Sequence, residues 1–319
     1  MGRLEVVPFA DGHLGDAARL LAGRHTRHRS AEPLLPQRYE APAAAAVELQ
    51  AAWSATDASG AAATRDGRLV GYVVGAPREP GVWGPNIWVE AAGHAVEAGE
   101  DVRDLYGLAA ERWVEEGAQR HYALVPATDA ELVDAWFRLG FGHQQAHGVQ
   151  EPRPARAGKT FEIREPTVDD VQALIEVDLA LPVHQRSSPV FSEQPLPTTE
   201  LLCEEWRKTL EGDEERVLIG CLQGRPVACW SVCDASLSVH NRGLTLPERA
   251  CYLAFAATLP EARGSGIGVE LTEASLDAAH RDGYAAMVTD WRVTNLLASR
   301  FWPKRGFRDA FFRLYRSIP

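Results

Sequence analysis

A chain of 319 residues, 45% apolar and 24% charged, has an ordinary globular composition and enough length for two domains with their own cores. Its formal charge of -11 argues against a general nucleic-acid binder and suits a cationic substrate such as an amine. No run approaches the roughly 18 apolar residues of a membrane span, and the start MGRLEVVPFADGHL lacks a signal-peptide pattern, so the expectation is a cytoplasmic protein without membrane association.

The amino-terminal half enters an apolar-periodic segment at Leu14. The run Arg24-His25-Thr26-Arg27-His28-Arg29 follows and reads as a solvated helix end, with anion binding as the sharper alternative. Residues 151–159 are proline-broken and without apolar periodicity, and are read as a linker between domains at 1–150 and 160–319. Beyond the linker, a strand is predicted at 161–164, a helix at 167–179 and a second helix at 199–210, where Leu201, Leu202, Trp206 and Leu210 share a face. Strands at 216–222 and 227–234 flank the turn Gln223-Gly224. A strand at 252–258, a helix at 266–281, a strand at 285–290, a helix at 295–304 and a strand at 307–316 complete the order.

The two halves repeat one plan. Gly67-Arg68-Leu69-Val70 matches Gly224-Arg225-Pro226-Val227, and Leu14 matches Val171, at an offset of 157. Gly117, Asp129, Trp136, Gly140 and Phe141 match Gly283, Asn295, Trp302, Gly306 and Phe307 at an offset of 166. The difference fits extra length around 234–249 in the second copy. The pattern implies an α/β chain (α+β, mixed sheet) of two tandem domains, each a mostly antiparallel mixed sheet flanked by helices.

All five cysteines (Cys203, Cys221, Cys229, Cys233, Cys251) lie in the second half without CxxC or His-rich spacing, which points to buried thiols rather than disulfides or a metal site. Lysine occurs only at Lys159, Lys208 and Lys304, and this bias towards arginine, with the many alanines, suggests a GC-rich bacterial genome. Trp83, Trp88, Trp206, Trp230 and Trp291 are read as core packing, with an aromatic substrate site as the alternative.

The segment Arg263-Gly264-Ser265-Gly266-Ile267-Gly268 carries the chemistry, because it directly follows a strand and opens a helix. Glycines let backbone N–H groups converge on a diphosphate, and the helix N-terminus adds unpaired donors and positive dipole character. A tight strand-to-helix turn without a ligand is the plain alternative. Neither GxGxxG nor GKS/GKT spacing is present, which disfavours a Rossmann or P-loop reading.

FAATLPEARGSGIGVEL resembles motif A of the GNAT acetyltransferase superfamily, with Arg263, Gly266 and Gly268 at the defining positions. NLLASRFWPKRGF resembles its motif B through Asn295, Ala298, Trp302, Gly306 and Phe307. The resemblance implies an acetyl-CoA-dependent N-acyltransferase with no metal. It further implies that Ala256 and Thr258 meet the pantetheine arm, that Arg263, Gly264, Ser265, Gly266, Ile267 and Gly268 meet the pyrophosphate, and that Asn295 touches the cofactor or caps its helix. By the offset of 166, the first half has Glu97-Ala98-Gly99-Glu100-Asp101-Val102 in place of this loop. Three carboxylates there predict a degenerate copy that does not hold CoA in this manner.

The resemblance puts a tyrosine acid where this chain has Trp302, whose indole N–H is no usable acid. Tyr315 on the final strand is the candidate substitute. Asp290, Tyr252, Glu248 and His240 are the candidate bases or proton relays, with a structural ion pair as the alternative role for Asp290. Period-two alternation places Tyr252, Ala254, Ala256 and Thr258 on one strand face. The expected acceptor is a small-molecule amine and the expected assembly a monomer or homodimer. A CoA-binding sensor without turnover is the competing function.

Overall fold

The computed structural model describes residues 2–156, 160–192, 195–238 and 241–319. The first half runs β1 (Glu5–Pro8), α1 (Leu14–Ala31), α2 (Pro42–Trp53), β2 (Ser59–Arg65), β3 (Arg68–Gly75), β4 (Asn86–Val89), β5 (His94–Val96), α3 (Asp101–Glu115), β6 (Arg120–Pro126), α4 (Ala130–Arg138) and β7 (Gly142–Gln150). The second runs β8 (Glu162–Arg164), α5 (Val171–Arg186), α6 (Thr199–Glu211), β9 (Glu215–Leu222), β10 (Arg225–Asp234), β11 (Ala250–Thr258), α7 (Ile267–Arg281), β12 (Ala286–Arg292), α8 (Leu296–Arg305) and β13 (Arg308–Ser317).

The repeat is reproduced in the backbone. Both β2–β3 and β9–β10 are hairpins whose two turn residues have positive φ, Asp66 and Gly67 (51° and 75°) and Gln223 and Gly224 (51° and 78°). A two-residue turn of this hand matches the twist of the strands it joins. Gly140 and Gly306 end α4 and α8 at φ of 83° and 103°, a left-handed cap conformation that glycine adopts without steric cost. Asp129 and Asn295 accept backbone N–H bonds at the starts of the same two helices.

One compact unit comprises Met1–His147, Gly243–Thr245 and Asp309–Pro319. It holds the sheet β1-β2-β3-β5 and the strand order β4-β6-β13-β7. The last strand of the chain therefore belongs here and not with the second half. Phe311 through Ser317 pair antiparallel with Pro126 back to Arg120, and Phe311 and Leu314 are buried. The contiguous ranges 1–150 and 160–319 differ from the compact units in this respect, because strand periodicity specifies faces and not partners. Trp113, Trp136, Tyr106 and Phe141 fill the core beside Leu314.

The run at 24–29 is not a solvated helix end. Arg24, His25 and His28 share the inward face of α1 and are buried. Arg24 donates to the carbonyls of Ala91 at 2.6 Å and His94 at 2.5 Å, and His25 Nε2 meets the carbonyl of Pro36 at 2.8 Å. Backbone carbonyls thus supply partners that make burial tolerable for Arg24 and His25.

The other unit comprises Gly148–Arg242 and Leu246–Arg308. Its sheet runs β12-β11-β10-β9-β8, antiparallel except for the β11–β12 pair. Helix α5 packs on β10 and β11, and α7 packs on β9 and β10. Cys221, Cys229, Cys233 and Cys251 are buried and all five cysteines are free thiols, consistent with their reading as small core residues. No helix among the described residues is long and apolar enough to cross a membrane.

Candidate active site

Strands β11 and β12 pair in parallel only over Ala250–Tyr252 against Ala286–Val288, although β11 continues to Thr258 and β12 to Arg292. Pairing of β11 with β10 persists to Thr258 but skips a residue, since Ser231 faces Phe255 and Val232 faces Leu253. Ala254 is the extra residue of this bulge, and a bulge bends its strand and re-aims it. The bend begins where pairing with β12 ends. Between the diverging strands lies a cleft of about 410 Å³, lined by residues 253–258, by Thr289, Asp290, Trp291 and Arg292, and by parts of α5, α7 and α8. The bulge also shifts the phase of alternation, so Tyr252 and Ala256 do not follow the single-face pattern expected from period two.

At the end of β11 the chain turns into α7 through the glycine segment. Gly264 and Gly266 have φ of 78° and 102°, the left-handed region where a side chain is strained. Gly268 is demanded by contact, because a Cβ there would meet the Trp230 ring at 3.2 Å. Ser265 closes the turn, its hydroxyl donating to the Ala262 carbonyl at 2.8 Å and accepting from Ile267 N at 3.3 Å. The N–H groups of Gly264, Gly266 and Gly268 have no internal acceptor among the described residues. With open space around Gly264, this is a cradle fit for a diphosphate at a helix N-terminus. Arg263 turns back into the protein, its Nε donating to the Thr258 carbonyl at 3.2 Å, so that carbonyl already has a partner.

Of the expected site residues, Ala256, Thr258, Arg263, Gly264, Gly266, Ile267, Gly268, Asp290 and Asn295 line the cleft together. Tyr252 reaches it through its hydroxyl, which donates to Asp290 Oδ1 at 2.7 Å. Glu248 is exposed in the turn that precedes β11 and does not line the cleft. It lies at the opposite end of β11 from the glycine segment, and the nine-residue strand between them spans about 26 Å. His240 lies outside the described residues. Asn295 caps α8, its Oδ1 accepting from Leu297 N and Ala298 N at 3.2 and 3.3 Å, and it faces the cleft as well. Trp302 is buried in the cleft wall against Phe301 and Phe307. Tyr315 packs on Tyr122 in the amino-terminal unit and is not among the cleft-lining residues.

Sequence reasoning missed the contribution of α5. The helix runs through Pro182 for a further turn and brings Leu181, His184 and Gln185 to the cleft. Proline usually signals a helix boundary, which hid this turn. Trp230 and Trp291 also line the cleft, whereas Trp206 packs one layer behind it on Phe255.

Residues 181–307 match the family model described as Acetyltransferase (GNAT) family. The carboxy-terminal unit is a GNAT domain. The N-alpha-acetyltransferase 30 of Schizosaccharomyces pombe is 40% identical over 76 residues, which are 24% of this chain and 48% of the relative. The match thus spans about half the length of that curated relative. A GCN5-related N-acetyltransferase from Sphaerobacter thermophilus superimposes with a TM-score of 0.56 at 14% identity, covering 99% of this chain and 96% of the other. A glucosamine N-acetyltransferase region of a fungal multi-domain beta-N-acetylglucosaminidase gives a TM-score of 0.51 at 15% identity, over 99% of this chain and 38% of the other. These likenesses show a GNAT fold built of mixed sheets and helices.

The equivalent loop outside the GNAT domain is closed by the protein itself. Glu97 pairs with Arg68, Glu100 with Arg103 and Arg138, and Asp101 with both terminal nitrogens of Arg65. Hydrogen bonding from Arg68 holds the Glu97 carboxyl below the usual carboxylate range. The Gly99 N–H donates to Glu131 Oε1 at 3.1 Å, and a Cβ on Gly99 would fall 2.9 Å from Glu131 Cγ. An internal carboxylate thus takes the place beside the loop amide that an anionic ligand would need.

Proposed function

We propose that this chain is an acetyl-CoA-dependent N-acyltransferase acting on a small-molecule amine by direct attack on the thioester, with the cofactor site confined to the GNAT domain. The observation that carries the proposal is the cradle of Gly264, Gly266 and Gly268 amides opening onto the β11–β12 cleft beside Asp290. Bound acetyl-CoA supplies a thioester carbonyl open to attack. The three amides and the α7 N-terminus hold the diphosphate, and the backbone around Ala256 borders the path of the pantetheine arm. Asp290 takes the proton of the attacking amine, and the Tyr252 hydroxyl fixes the orientation of its carboxylate. In the amino-terminal unit, Glu131 on Gly99 and three arginine-paired carboxylates leave no comparable cradle.

The competing reading is a CoA sensor without turnover, favoured by Trp302 in place of a tyrosine acid. One experiment separates them: the purified protein is mixed with acetyl-CoA and a panel of amines, with thiol release and calorimetric binding followed in parallel. Amine-dependent release establishes the transferase. Binding without release across the panel favours the sensor, and no binding sinks both.

A further inference from the structure

His184 stands in the cleft without a role in the chemistry described so far. Among the described cleft-lining residues, the charged or proton-exchanging side chains are His184, Arg263, Asp290 and Arg292. Guanidinium groups keep their protons, and Asp290 receives the Tyr252 hydroxyl bond as a carboxylate suited to the role of base. The Tyr252 hydroxyl, which reaches the cleft from β11, already gives its hydrogen to Asp290, which leaves the His184 imidazole as the proton donor without another such task.

The hydrogen-bond pattern around His184 also settles which nitrogen is available. His184 Nε2 lies 3.2 Å from Asn295 Oδ1. That oxygen already accepts two backbone N–H bonds as the cap of α8, so it is an acceptor and Nε2 must carry the hydrogen between them. Nδ1 is then the atom that gains and loses a proton. The cap holds the imidazole against the helix that carries Trp302, and so Asn295 serves the site through His184 as well as through α8.

We infer that His184 is the acid of the transfer, delivering its Nδ1 proton to the departing CoA thiolate in place of the tyrosine that this chain lacks at Trp302. The inference rests on the acyltransferase reading. The amine lone pair forms the new C–N bond as the C–S bond breaks and its electron pair passes to sulfur. Sulfur takes the proton from His184 Nδ1, while the proton on the new amide nitrogen passes to Asp290. Proton exchange with water then restores both groups. The charged and titratable neighbours are Asp290 and Arg292 of β12, Tyr252 of β11 through Asp290, Arg263 of the glycine loop and Arg186 on α5 itself.

Two variants test it. In His184→Cys the thiol is probed with CoA disulfide, whose exchange with a protein thiolate gives a protein–CoA mixed disulfide and free CoA, read by mass spectrometry. Labelling should saturate with CoA disulfide concentration and exceed that of the Arg186→Cys control by about tenfold or more, since binding raises the effective concentration of the reacting sulfur. His184→Gln keeps a donor for Asn295 but cannot protonate a thiolate. It should lower kcat by about a hundredfold, leave the KM for acetyl-CoA within about twofold, and abolish the fall of kcat with rising pH that a protonated acid imposes. Labelling no faster than the control, or a pH profile unchanged in His184→Gln, overturns the inference while wild-type binding of CoA by calorimetry still upholds the cofactor site. Loss of wild-type CoA binding overturns the acyltransferase reading itself.

Discussion

Lowering the pH from 7 to 5 should loosen the amino-terminal unit by about 4 kcal/mol, through two histidines alone. His94 and His28 are 0% and 3% exposed. Burial pushes both imidazoles down to about 3, and the neighbouring Arg24 cation adds to the effect. His94 Nε2 lies 3.0 Å from the Leu124 carbonyl, which holds the neutral ring with its hydrogen there. In the unfolded chain each imidazole titrates near 6.5, so the unfolded state binds more protons below that pH. Stability is whole above about pH 6.5 and is lost as the pH falls towards 3, at about 1.4 kcal/mol per pH unit per group. Over the interval from 7 to 5 this is about 1.9 kcal/mol for each, a large part of the roughly 5–15 kcal/mol that holds a domain together. His25 and His121, also lowered by burial, act in the same direction. Asp178 in the GNAT domain acts oppositely, because burial pushes its carboxyl up to about 6 and the folded form gains protons first. Hydrogen exchange at pH 7 and 5, corrected for intrinsic rates and read on peptides from α1 and β5 against peptides from β10, measures both responses. Protection of α1 and β5 that is unchanged between the two pH values would refute the argument.

Gly266→Ala places a side chain at φ of 102° and should cost about 1–2 kcal/mol of local strain, weakening CoA binding tenfold or more by calorimetry. Asp290→Asn should lower amine-dependent thiol release by about a hundredfold with CoA affinity unchanged, and Tyr252→Phe by less than about tenfold, since it removes only one hydrogen bond to the carboxylate. Deleting residues 309–319 removes the buried Phe311 and Leu314, about 3–6 kcal/mol of apolar burial, and strips β6 of a partner. Exchange protection of β6 should then collapse; retention of native protection would show that β13 is dispensable.

The glycine loop was legible because only glycine tolerates the φ values at 264 and 266, so its chemistry is written in residue identity. The repeat was legible for the same reason at Gly67, Gly224, Gly140 and Gly306. Other features left no such mark. Ala254 is the extra residue in the pairing with β10, and alanine is indifferent to the distortion, so its identity does not mark the bulge. Arg24, His25 and His28 carry charge-capable groups that composition assigns to solvent, yet distant carbonyls at 36, 91 and 94 receive two of them. Pro182 masked the helical turn that delivers His184, and Glu248, plausible by sequence position, sits at the wrong end of its strand.

The place of β13 has a consequence for how the protein is made. Because Asp309–Pro319 complete the unit that begins at the amino terminus, that unit cannot close until residues 148–308 have been synthesised. At typical translation speeds this leaves β6 without one of its two native neighbours for on the order of 10 s, long enough for a chaperone or a rival strand to reach it. Maturation of the amino-terminal fold is thereby tied to completion of the GNAT domain, and a truncated product of the ribosome would be recognisable by its open sheet.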